Sequence, residues 1–257
     1  MPGHSLDMLG MPHSEAAPDP FFVAMPPRYR EAFDPSDARE HAGIVGRRMG
    51  AVAHIEIWRR LPEGGAVIAV VTDDRPGLLS FICAALVVQE MDVLAAKAFT
   101  RRVPDGVAEA VDFFWIRRDA SLALPVLRTD IARIRDVLCA LIGGELTLAS
   151  VVRRARPPRA APPGASTRVT FDAGESRALS VLTVETFDRP GLLLAITQAL
   201  FRAGVQIASS DALSRDGKVI DTFLIEELDG SPVSPQKRGV VQVEVLSAIQ
   251  ALAQGML

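Results

Sequence analysis

The chain has 257 residues, 49% of them apolar, and a formal net charge of −3. That is room for one large domain or two small ones plus a tail. The modest charge gives no electrostatic reason to expect nucleic acid or an anionic membrane as a partner. Cys83 and Cys139 lie in separate apolar helical patterns, so buried reduced thiols are expected rather than a disulfide or a metal motif. No basic region followed by an apolar run opens the chain, so no secretory leader is expected. The longest strongly apolar run, Leu78 to Val88, is shorter than the roughly 20 residues of a membrane span. A soluble cytoplasmic protein is the default expectation.

Residues 1–20 are rich in Pro, Gly, His, Ser and Asp and are expected to be disordered, with His4 and His13 solvated rather than metal-bound. Residues 21–60 read as a docking segment and a helix. Phe21 to Tyr29 concentrates aromatic and apolar side chains that should pack on a domain. Asp34-Pro35 reads as an N-cap followed by Pro at the first helical position, predicting a helix from Pro35 to about Met49. Within it, His41 is expected at the surface or in a packing role. Ala53 to Arg59 alternates imperfectly, as a short strand would.

Residues 61–153 form a first unit. Ala66 to Thr72 is a β-rich run without polar alternation, which suggests a central strand. Asp74-Arg75-Pro76-Gly77-Leu78-Leu79 follows and opens a helical pattern that should end near Glu90. Both faces of that helix are apolar, which predicts contact with another domain, another chain or the Phe21–Tyr29 segment. Strands are expected at Asp92 to Arg102 and Val107 to Arg117, around the hairpin signal Pro104-Asp105-Gly106. A helix from Pro125 to Ile142 and a fourth strand from Thr147 to Val152 complete the order βαββαβ, the split unit of ferredoxin-like α+β folds. Residues 154–166, rich in Arg and Pro, read as a solvated linker without the aromatic residues that would stack on bases.

Residues 167–257 repeat the first unit. Asp188-Arg189-Pro190-Gly191-Leu192-Leu193 stands 114 positions after Asp74, and the offset continues through Ala85/Ala199, Val93/Ile207 and Arg101/Arg215. After a helix from Ser234 to Ala253 too few residues remain for a fourth strand. Thr167 to Phe171, turned back through Asp172-Ala173-Gly174, is therefore expected to pair with the Leu179–Thr186 strand and cover the open edge.

The repeated unit resembles the ACT domain, a ligand-binding regulatory module. The resemblance rests on the D-R-P-G-L-L corner, G-V-Q-I at Gly204 to Ile207 and D-T-F at Asp221 to Phe223. With M-P-P-R-Y at Met25 to Tyr29, F-D-P at Phe33 to Pro35 and T-R-V-T-F-D at Thr167 to Asp172, the wider chain is similar to the regulatory region of bacterial PII uridylyltransferases. The resemblance implies tandem ACT domains that sense an amino acid, glutamine being favoured, in the control of nitrogen metabolism. It implies no cofactor, and a homodimer or a signalling enzyme as the protein partner. The sequence has no Gly-Ser followed by a D-x-D pair and no His-Asp dipeptide, so a regulatory rather than catalytic role is expected.

A helix N-terminus carries unpaired N–H groups and partial positive charge, so it can hold a carboxylate without a basic side chain. By resemblance, an amino-acid ligand touches the corner and the start of the second strand. Those positions are Asp74, Gly77 and Leu78 with Asp92, and Asp188, Arg189, Pro190, Gly191 and Leu192 with Gln206. Asp92 and Gln206 each follow the corner aspartate by 18 residues and stand where many family members carry Asn. A corner aspartate suits an ammonium group, and Gln206 suits an amide. Asp73 beside Asp74 makes the first corner less welcoming to an anion, so the second is expected to be the better site. Three other roles stay open: corners that only turn strand into helix with Asp as N-cap, a ligand-free protein–protein interaction module, and a regulatory half acting with a separate catalytic chain.

Overall fold

The structure, a computed structural model, describes residues 20–102, 106–118, 124–155, 166–172, 179–215 and 217–254. The expected disordered tail before Pro20, most of the linker, and the turn residues Pro104, Asp105, Ala173 and Gly174 lie outside the described residues.

The N-terminal segment folds into three short helices, α1 (Pro20–Ala24), α2 (Pro27–Ala32) and α3 (Pro35–Arg47). The predicted cap forms: the Asp34 carboxylate accepts from the backbone N–H of Ser36 at 2.8 Å and of Asp37 at 2.9 Å. The first half of the remaining chain is β1 (Ala53–Arg60), β2 (Ala66–Asp73), α4 (Leu78–Val88), β3 (Met91–Arg101), β4 (Glu109–Arg118), α5 (Arg128–Ile142) and α6 (Leu148–Val152). The second half is β5 (Arg168–Phe171), β6 (Ser180–Phe187), α7 (Leu192–Arg202), β7 (Val205–Arg215), β8 (Lys218–Glu227) and α8 (Pro235–Ala253).

All eight strands join one antiparallel sheet in the order β1-β2-β4-β3-β7-β8-β6-β5. The two halves mirror each other about the β3–β7 pairing, where Lys97 lies opposite Asp211. Those two residues are equivalent by the 114-residue offset, and their side chains form an ion pair at 2.7 Å. Such a half-exposed pair adds little stability. It does favour pairing of unlike halves, since two first halves would oppose Lys97 to Lys97.

The α+β class follows the sequence pattern, but one expected element is wrong. Thr147 to Val152 is not a fourth strand. Thr147 caps α6, its hydroxyl accepting from the Ser150 N–H at 3.2 Å while the Ser150 hydroxyl accepts from the Thr147 N–H at 3.2 Å. The edge beside β2 is taken by β1, from the stretch set apart as the docking segment, with Ala53 opposite Thr72. The same device operates in the second half, where Val169 pairs with Val184 as expected. Both halves therefore draw their edge strand from before their first central strand.

Helices α4 to α8 pack on one face of the sheet around a core that includes Ile68, Ile82, Leu86, Phe114, Leu182, Leu200 and Phe223. The all-round apolar character of α4 is explained within the chain: α4 packs against α7, α5 and α6. On the opposite face of the first half, Phe21, Met25, Tyr29 and Phe33 from the helical segment meet Phe99 and Phe113 from the sheet. His41 is buried here, not at the surface, and its Nδ1 shares a 2.6 Å hydrogen bond with the Tyr29 hydroxyl. Burial pushes its pKa down to about 3.

The likeness of the two halves extends to irregularities. Both second strands bulge at the same offset position, between Val93 and Ala95 and between Ile207 and Ser209. Both helix-to-strand turns need a left-handed residue: Gly204 has φ 69°, and Glu90 has φ 57°. A side chain in that region costs about 1 kcal/mol. Glu90→Gly is expected to raise stability by about that amount in urea denaturation.

Candidate ligand-binding site

Each Asp-Arg-Pro-Gly stretch leaves the end of a central strand and enters a helix. Gly77 and Gly191 are the N-caps of α4 and α7, with φ 78° and 82°. The helices thus begin at Leu78 and Leu192, and Pro76 and Pro190 precede the cap rather than occupying the first turn. Neither corner aspartate is an N-cap. Asp74 accepts from the Thr100 hydroxyl at 2.8 Å, and Asp188 accepts from the Ser214 hydroxyl. Thr100 and Ser214 are themselves equivalent by the repeat. Asp73 does not add free negative charge to the first corner, since it ion-pairs with Arg48 of the N-terminal segment at 2.7 Å.

The structure brings the expected residues together in a different combination. A helix of 11 residues carries the chain back along the sheet, so each second strand starts at the far end from its own corner. Antiparallel docking of β3 on β7 instead sets each corner beside the second strand of the other half. Asp188, Arg189, Pro190, Gly191 and Leu192 share a cavity with Asp92, not with Gln206. Asp74, Gly77 and Leu78 share theirs with Gln206, not with Asp92. The seam between halves is therefore part of both.

The two cavities differ in size. The Asp188 cavity holds about 500 Å³, within the roughly 300–1,000 Å³ range of small-molecule sites. The Asp74 cavity holds about 30 Å³, room on the order of a single water molecule.

The large cavity contains an unusual charge. Arg189 is only 7% exposed, and its Nε and Nη1 atoms are buried without a hydrogen-bond partner. Burial lowers its pKa, against the attraction of Asp188. The equivalent Arg75 donates from Nη1 to the Ile142 carbonyl at the end of α5, at 3.4 Å. Across the cavity, Asp92 stands opposite Arg117 in the sheet, with 3.8 Å between Oδ2 and Nε. Asp221 also lines the cavity, and its carboxyl is pushed up to about 8 by burial, then by the negative charge of Asp188. At neutral pH it is mostly the uncharged acid. Two guanidinium groups and two carboxylates then face the space, and Arg189 has the least compensation.

Arg117, Ser214 and Asp221 were not anticipated as lining residues. Asp221 had a signal: a carboxylate inside an apolar strand is rarely buried without a purpose. Arg117 and Ser214 had none, because their place depends on how the halves dock. Among the described residues, no group of three or more His, Cys, Asp or Glu side chains is placed to hold a metal ion. No helix among them is long and apolar enough to cross a membrane.

Over most of its length the chain is similar to part of the bifunctional uridylyltransferase/uridylyl-removing enzymes. The enzyme of Rhodospirillum rubrum is 30% identical over 217 residues, 80% of this chain and 22% of the relative. That of Phenylobacterium zucineum is 28% identical over 239 residues, 90% of this chain and 24% of the relative. That of Azospirillum brasilense is 26% identical over 221 residues, 82% of this chain and 23% of the relative. The chain thus spans less than a quarter of these relatives. No family model matches it. Among solved structures, a 6-hydroxy-D-nicotine oxidase from Arthrobacter nicotinovorans aligns with 73% of this chain and 44% of its own at 12% identity and a TM-score of 0.28, too low to relate the folds.

Proposed function

We propose that the chain is a non-catalytic amino-acid sensor of the uridylyltransferase type. It is built from two ACT-type units, residues 61–153 and 167–257, with β1 added to the edge of the first. The supporting observation is the buried, unpartnered Arg189 in a cavity of about 500 Å³. An orphan buried guanidinium is costly unless something fills its bonding capacity. A ligand carboxylate does so, aided by the first-turn N–H groups of α7. Asp188 and Asp92 supply the counter-charge for an ammonium group. Asp221, as a neutral acid, offers a donor and an acceptor to a side-chain amide, in keeping with glutamine, the ligand favoured by resemblance.

Titration calorimetry against the twenty amino acids tests this. A saturable heat with one ligand per chain, strongest for glutamine, is expected; no heat at millimolar ligand for any of them would end it. Gly191→Val is a poor probe, because its left-handed φ strains any β-branched residue and confuses binding with folding. On this reading the regulated activity is that named for the relatives, uridylyl transfer and removal, carried by a catalytic part in the same protein or in a partner chain. One of the two grounds for the interaction-module alternative, the second apolar face of α4, is met by this chain's own helices; the other, the departures at Asp92 and Gln206, stands.

A further inference from the structure

The two corners are equivalent in sequence and cap geometry, yet one cavity is open and the other nearly filled. One side chain sets the closed corner apart at the cap itself. Phe201 lies near the end of α7, and its ring lies against Gly77: a Cβ built on that glycine would stand 3.0 Å from Cδ2 and Cε2 of the ring. The residue equivalent to Phe201 by the 114-residue offset is Val87, near the end of α4, and Val87 lines the open cavity. So each helix sends one residue across to the opposite corner. A valine leaves the corner open, and a phenylalanine covers it.

The remaining parts of a site persist beneath the ring. Asp74 is held by Thr100 as Asp188 is held by Ser214. Arg75, Gln206 and Asp112 also line the small cavity. Phe201 is 40% exposed, so its ring is not essential to the core.

We propose that Phe201 is a plug that shuts a second corner cavity, and that its presence, against Val87 at the first, sets the number of amino acids the chain binds at one rather than two. The proposal rests on the amino-acid reading of the open corner. Beneath the plug the site retains Asp74 for an ammonium group and replaces Asp92 with the neutral Gln206, so a ligand of the same class but a different preference is expected there.

The test is a reciprocal exchange, Phe201→Val and Val87→Phe, with the crystal structure of each variant and calorimetry with glutamine and the other amino acids. Phe201→Val is expected to open a cavity beside Gly77 comparable to that beside Gly191, and to raise the stoichiometry from one to two. Val87→Phe is expected to reduce it from one to zero at unchanged fold. A Phe201→Val structure in which neighbours collapse into the vacated space would overturn the proposal, as would an open cavity with the stoichiometry still at one. If the unaltered chain binds no amino acid, the sensor reading fails on its own, and the plug is judged by the Phe201→Val cavity: open supports it, collapsed refutes it.

Discussion

Replacing Arg189 with methionine is expected to stabilise the ligand-free chain and to weaken amino-acid binding, two effects of opposite sign from one substitution. The guanidinium is buried, and two of its nitrogens lack a partner. Leaving such a group unsatisfied costs about 1–3 kcal/mol, and removing the charge recovers that amount. Methionine retains a linear apolar stem that fills the same channel. A hydrogen bond to a charged group contributes about 1.5–3 kcal/mol, so losing it predicts a fall in affinity of roughly 10- to 100-fold. Urea denaturation without ligand reads the first effect, and calorimetry reads the second. A destabilised Arg189→Met chain with normal affinity would show that Arg189 is a structural residue and would remove the carboxylate anchor from the cavity.

Much of the fold is legible in the sequence because its local signals agree with its tertiary role. Asp34-Pro35 caps a helix, Gly143 follows another, and the apolar run Ala66 to Val71 lies inside the sheet between β1 and β4, buried on both faces. The failure at Thr147 to Val152 is equally physical. T-L-A-S-V-V carries β-branched residues, but it also carries Thr and Ser three apart, which is a reciprocal cap. Propensity alone cannot decide between them. What decides is that the edge of β2 is already filled by β1, a long-range fact. The inference that placed Val169 at the edge of the second half applied equally to the first, where a plausible fourth strand concealed the need for it.

The linings of the two candidate cavities were legible in part as a list of residues and illegible as an arrangement. The repeat picks out both corners and both second-strand positions. The constant spacing of 18 residues invites pairing them within a unit. Only the β3–β7 docking shows that each corner meets the other unit's strand. The size difference was out of reach for the same reason: Val87 and Phe201 look like ordinary positions on two apolar helices until the corner they cross to is known.

The pH dependence of stability should identify Asp221 as a proton held by the fold. Its carboxyl is 3% exposed, and it is raised from 3.8 to about 8 by burial, then by Asp188. Between those values the folded chain keeps a proton that the unfolded chain has released. Each pH unit upward in that window therefore weakens the folded state, by about 1 kcal/mol per such group. This stabilisation is complete below about pH 4 and lost as pH rises through about 8. Asp112, the equivalent residue of the first half, is raised by burial and acts with the same sign. His41 acts in the opposite sense at lower pH: held neutral with its pKa pushed from 6.5 to about 3, it costs stability as pH falls below 6.5. The maximum is thus expected on the acidic side of neutrality, with Tm falling between pH 6 and pH 8. Asparagine at 221 keeps an acceptor for the Leu213 N–H and cannot ionise. Asp221→Asn should melt higher than the unaltered chain at pH 8 and show a shallower slope from pH 6 to pH 8. Calorimetric melting across that range decides it, and parallel Tm curves for the two chains would mean that Asp221 is an ordinary ionised carboxylate and not a neutral group facing the cavity.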